Sequence, residues 1–171
     1  MLSPADKRLA DDHAALGEVL KRLQTALNSR DSKAAHAKLD LFWARLAVHI
    51  RAEHLHLFPA ITQHARTAAV DQAVAQLRAD HDFFMHELAR AMAIMRDLLN
   101  TTDASTLSGG LKTVRDAVSE VEKRLVVHNE LEENEIYHLT NVLSEQDQAE
   151  LSLKISKELA NQPPRFSVTE S

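Results

Sequence analysis

A chain of 171 residues with 44% apolar residues is long enough to form one domain with a buried core. Aromatics at 4%, three glycines and four prolines favour helices over sheet, since strands want aromatic and β-branched side chains with turn residues between them. The net charge of −5 comes from interspersed signs, so there is no basic footprint for nucleic acid, and the lack of cysteine excludes disulfides, thiolate zinc sites and iron–sulfur clusters.

The elements follow in chain order. Met1 to Ala10 lacks the apolar stretch of a signal peptide, and no run of about 18 apolar residues offers a membrane span. A soluble cytoplasmic protein is therefore expected. Ser3-Pro4-Ala5-Asp6 is a helix start, with serine at the N-cap and proline at the first helical position. The stripe Leu9, His13, Leu16, Leu20, Leu23, Leu27 then keeps to one helix face. Asn28 to Ser32 is a polar turn. Helix two carries Leu39, Phe42, Leu46, His49, Glu53 and then His56 or Leu57, and Pro59 is expected to kink its last turns. A break at His64 to Ala68 precedes helix three, with Val70, Val74, Leu77, His81, Phe84, Leu88, Met92, Met95 and Leu99. Asn100 to Gly110, with its Thr-Thr, serines and Gly-Gly, is predicted to be a loop. Helix four carries Leu111, Val114, Val118, Val121, Leu125, His128, Glu132, Glu135 and Leu139. Ser144 starts a shorter fifth helix with Leu151, Ile155 and Leu159, ended by Pro163-Pro164. The expected fold is all-α: an up-down-up-down four-helix bundle over residues 1–161 with a short C-terminal fifth helix, then a disordered tail over 162–171.

Six residues interrupt the apolar stripes at core-facing positions: His13, His49, Glu53, His81, His128 and Glu132. Two pairs share the spacing His-x-x-x-Glu, which puts imidazole and carboxylate on one helix face, one turn apart. A buried carboxylate is costly unless it is paired or binds metal. At about 1.5 Å per residue, the chain climbs about 22 Å from His13 to the first turn and returns about 25 Å to His49. The same arithmetic through the later links brings all four histidines within about one helical turn of one level. A lone core histidine is more often a satisfied packing residue. Four histidines and two glutamates at one height point instead to metal. Imidazole and carboxylate ligands suit iron, manganese or zinc and not soft copper(I). Four imidazoles with two carboxylates exceed what one tetrahedral zinc takes, so two ions are favoured.

These motifs resemble the hemerythrin-like family, the HHE cation-binding domains. The residues that carry the resemblance are Asp12-His13, then His49-Ile-Arg-Ala-Glu53-His-Leu-His-Leu-Phe58-Pro59, and in the second half Asp80-His81, then His128-Asn-Glu-Leu-Glu132-Glu-Asn-Glu-Ile-Tyr137. It covers Pro4 to Leu143. The resemblance implies a four-helix bundle around a carboxylate-bridged, non-haem di-iron centre. His13, His49, His81 and His128 would be the terminal ligands, Glu53 and Glu132 the bridges, and manganese or zinc a less favoured filling. The repeated motif implies a pseudo-twofold through the metal pair. The chain departs from the oxygen-carrying hemerythrins, which place two histidines four apart on the third helix where this chain has His81 and then Met85. They also use a carboxylate five residues after the fourth-helix histidine, where Glu132 follows His128 by four. These departures point away from reversible oxygen carriage and toward two-repeat bacterial members, including those similar to repair-of-iron-centres proteins.

The expected function is a di-iron protein that binds or reacts with oxygen, peroxide or nitric oxide; a non-catalytic iron sensor or reservoir is the alternative. Apolar neighbours such as Leu46, Phe84, Leu125 and Leu131 offer no general acid, which favours redox chemistry over hydrolysis. Around the six residues, His56 and Glu135 share the stripe and read equally as outer partners or an extra ligand and as a polar pair near the bundle end. His54 and Glu133 fall off it and are expected in solvent, as are His36, His64, His86 and His138. Tyr137 is expected as core filler, with a cover over the site as the alternative, and Met85, Met92 and Met95 as packing.

Overall fold

The computed structural model describes residues 2–166. Its long helices are α1 (Pro4–Asn28), α2 (Ser32–Ala52), α4 (Ala68–Leu98) and α5 (Ala104–Leu131), with the short α3 (Phe58–His64) and the C-terminal α6 (Glu145–Ala160). The four long helices form the bundle, and α6 lies against α1 and α2. Among the described residues there is no strand, and no helix is long and apolar enough to cross a membrane.

Local chemistry sets the ends. Ser3 accepts the Asp6 N–H while the Asp6 carboxylate accepts the Ser3 N–H, a reciprocal cap that fixes the start of α1. At its other end the N–H of Asp31 bonds the carbonyl of Ala26 and that of Arg30 bonds Leu27, which closes the helix by a turn through the left-handed region. Arg30 occupies that turn at φ 57°. Asp31, Thr67, Asp103 and Ser144 cap α2, α4, α5 and α6 in the same side-chain-to-backbone manner.

Two sequence expectations change here. The predicted loop over Asn100 to Gly110 is mostly helix, because Asp103 accepts the Thr106 N–H and starts α5 at Ala104. Gly110 lies inside that helix for a packing reason: a Cβ there would sit 2.5 Å from Leu98 Cδ2, so the missing side chain lets α4 and α5 approach. The predicted kink at Pro59 is instead a π turn over Glu53–Leu57, after which α3 begins with Pro59 in its first turn. The second half has the same widening at Glu132–Ile136, with no proline, followed by a 3-10 stretch Tyr137–Val142. Proline is therefore not what widens the turn; the common feature is the glutamate that begins each one.

The core divides into two apolar clusters. One, toward the α1–α2 and α4–α5 turns, includes Leu16, Phe42, Leu46, Phe84, Val121 and Leu125. The other, toward the chain ends, includes Leu9, Leu57, Phe58, Leu77, Ile136 and Tyr137. Between them lies a buried polar layer, level with the six interrupting residues. Arg8 bonds Ser152 and Arg51 pairs with Glu158, tying α6 to α1 and α2. Of the tail expected to be disordered, residues 162–166 are described, and Arg165 forms a two-pronged ion pair with Asp40 on α2; residues 167–171 lie outside the described range.

Candidate metal centre

The four histidines enter the polar layer from α1, α2, α4 and α5, and each glutamate begins the π turn that follows α2 or α5. Glu53 and Glu132 are fully buried and the histidines nearly so. His13 Nε2 stands 3.1 Å from His49 Nε2, and His81 Nε2 stands 3.0 Å from His128 Nε2. The carboxylates lie between these two pairs and send one oxygen to each. Glu53 Oε1 is 3.3 Å from His49 Nε2 and its Oε2 is 3.3 Å from His81 Nε2. Glu132 Oε2 is 3.1 Å from His13 Nε2 and its Oε1 is 3.1 Å from His128 Nε2. Two groups able to hold a cation result: His13, His49, Glu53 and Glu132, and Glu53, His81, His128 and Glu132. Both carboxylates belong to both groups.

Whether a cation suits these residues can be judged from atoms left unsatisfied. Glu53 Oε2 and Glu132 Oε1 are buried without a well-aligned hydrogen bond, their contacts being the ring nitrogens of His81 at 3.3 Å and His128 at 3.1 Å. Native interiors seldom tolerate such poorly satisfied acceptors without a further partner or an ion. In the metal-free protein, burial alone would push His49 down, but Glu53 and Asp12 raise it to about 10. Burial likewise opposes the rise at His128, where Glu132 and Glu53 prevail, while His49 and His81 hold Glu53 well below the usual carboxylate range. Protons thus occupy the space where cationic charge is wanted.

A set of outer partners fixes the rings. His49 Nδ1 meets Asp12 Oδ2 at 2.9 Å, and His128 Nδ1 meets Asp80 Oδ2 at 3.3 Å. His13 Nδ1 meets Glu133 Oε1 at 2.9 Å, and His81 Nδ1 meets His54 Nε2 at 2.8 Å. The aspartate of each Asp-His motif therefore serves the histidine of the neighbouring helix. Arg45 and Arg124 hold Asp12 and Asp80 in turn. A partner on Nδ1 orients the ring and leaves Nε2 to face the centre.

One expectation is corrected and two open readings are decided. His54 and Glu133 are outer partners, although Glu133 is exposed. His56 and Glu135 are not. His56 lies 3.7 Å from Glu158 on α6, and Glu135 lines a surface groove. An i→i+5 turn holds more residues per revolution than an α turn, so a residue three beyond the glutamate swings away from the centre. The same winding brings Tyr137, five beyond Glu132, inward. Its hydroxyl lies 3.1 Å from Glu53 Oε1, 3.3 Å from Glu132 Oε2 and 3.1 Å from His13 Nε2. Tyr137 is thus more than core filler. Burial and the two carboxylates raise it well above its ordinary value, so it keeps its proton. The matching position in the first half is Phe58, which stacks on His81 at 6.0 Å. His64, His86 and His138 are exposed as expected, His36 is half-buried, and Met92 and Met95 are core packing.

Residues 5–140 match the family model described as Hemerythrin HHE cation binding domain. Comparisons with curated proteins and with solved structures each gave no match.

Proposed function

Because the chain belongs to the hemerythrin HHE cation-binding domain family, we propose that it is a non-haem di-iron protein that binds or reacts with oxygen, peroxide or nitric oxide. His13, His49, His81 and His128 would be terminal ligands, and Glu53 and Glu132 would bridge. The observation that carries this reading is the sharing of both buried carboxylates between two histidine pairs, one oxygen toward each pair. The mixed imidazole and carboxylate donors favour iron over softer ions. Such a centre would supply one-electron and two-electron chemistry at positions the protein leaves uncoordinated.

The chain's own residues set the rest. Asp12, Asp80, Glu133 and His54 hold the rings. Phe84 packs edge-on against His128 at 5.2 Å, and Phe58 covers His81, so the surroundings are apolar. Apart from the four histidines, Tyr137 is the proton donor that touches both carboxylates among the described residues, and it is placed to hydrogen-bond a small molecule bound near His13. That suits diatomic ligands or peroxide better than hydrolysis, which wants a nearby group that releases protons readily.

Metal analysis and the visible spectrum of freshly purified protein test the centre. About two iron ions per chain are expected. Rapid anaerobic mixing of the reduced protein with oxygen, nitric oxide and peroxide tests the reaction. A spectrum that forms with oxygen and reverses on its removal would restore a carrier; inertness to all three would leave an iron-binding sensor or reservoir.

A further inference from the structure

The two halves match in their six central residues but not in what stands behind them. Three of the four ring Nδ1 atoms face carboxylates: Glu133, Asp12 and Asp80. A carboxylate only accepts, so it draws the ring proton to Nδ1 and leaves Nε2 free for a cation. The fourth, on His81, faces the imidazole of His54 at 2.8 Å. His54 is itself fixed from outside, with Arg78 Nη1 3.2 Å from its Nδ1. A guanidinium only donates. His54 Nδ1 therefore accepts from Arg78, and its ring proton sits on Nε2, donated to His81 Nδ1. That places the remaining proton of His81 on Nε2, the atom aimed at the centre. A metal arriving there must displace this proton and turn the relay round.

Charge runs the same way. Behind His13 and His49 stand two carboxylates and one guanidinium, that of Arg45 on Asp12. Behind His81 and His128 stand one carboxylate and two guanidiniums, those of Arg124 and Arg78. The first position also has the Tyr137 hydroxyl, where the second has Phe58.

We propose that the two metal positions are inequivalent, the one at His13 and His49 filling first and holding its ion more tightly, and the one at His81 and His128 being the exchangeable position, weakened by His54 and Arg78. This rests on the two-metal reading above. The test is anaerobic titration of the metal-free full chain with cobalt(II), followed by calorimetry and visible absorption. Two resolved steps of one ion each are expected, at least about tenfold apart, as changes behind a ligating histidine produce. His54→Glu supplies the missing carboxylate and should tighten the second step by about 10–100-fold, closing the gap. Arg78→Ala, at an exposed position that leaves the core intact, should tighten the second step in the same direction by freeing His54 to reverse its tautomer. Two ions binding in a single step of equal affinity would overturn the inequivalence, and a second step unmoved by both variants would overturn its assignment to His54 and Arg78, each while sparing the two-metal reading. Uptake of only one ion in excess cobalt, or of none, would overturn both.

Discussion

Glu53 and Glu132 each place one oxygen toward either histidine pair, and neither is exposed to water. Removing one leaves raised histidines without their counter-charge and removes a bond to each metal position. Glu53→Ala or Glu132→Ala should therefore drop bound iron from about two per chain to one or fewer, measured by elemental analysis. Tyr137→Phe is a different case. It deletes a hydroxyl and no packing, so two ions should remain while the visible spectrum shifts and the rate with peroxide changes about 10–100-fold. An unchanged spectrum and rate would return Tyr137 to core filling. The six central residues were legible because they are polar at apolar positions, and rise arithmetic put them at one height. The outer partners were not, for a physical reason. His54 and Glu133 sit one residue past the glutamates, off the buried stripe, and reach ring atoms from the side of the neighbouring helix. The one available signal was the repeated Asp-His pair, whose aspartates face the partner helix.

At the scale of elements, apolar periodicity located the long helices, because each buries one face in a layered core. It did not locate the π turns, since a single extra residue per revolution leaves no trace in a stripe that ends there. Asn100 to Gly110 misled through composition, because Asp103 as cap and Gly110 as a contact point against Leu98 outweigh poor helix propensity. The α1–α2 turn offers a test of these local terms. Arg30 pays for a left-handed backbone with a side chain. Arg30→Gly should stabilise the bundle by about 0.5–1 kcal/mol and raise the melting temperature by about 1–4 °C, with metal content unchanged. His56→Ala should likewise keep its metal, because His56 faces Glu158 on α6 and not the centre.

Across the whole molecule, metal and proton compete for one buried layer, and that competition fixes how stability responds to pH. In the metal-free chain His49 is raised from 6.5 to about 10 by Glu53 and Asp12 against the pull of burial. A group raised on folding stabilises fully below its unfolded value and loses that contribution as pH climbs through its folded value. The metal-free protein should therefore lose stability between pH of about 6.5 and 10. The loaded protein should not, since its imidazoles are already neutral and hold the ions more firmly as protons become scarce. Glu53, held low, keeps its contribution through this whole range and loses it only at acid pH. The difference in melting temperature between loaded and metal-free protein should widen steadily from pH 6.5 to 9.5, and should close as metal is lost through roughly pH 6 to 5, near and below the reference histidine value. Loading at pH 7 should also release protons into weakly buffered solution, at least about one per chain. Calorimetric melts of both forms at several pH values, with a proton count at pH 7, check this. A constant gap, with no proton released, would mean that the metal-free centre does not store cationic charge as protons at His49.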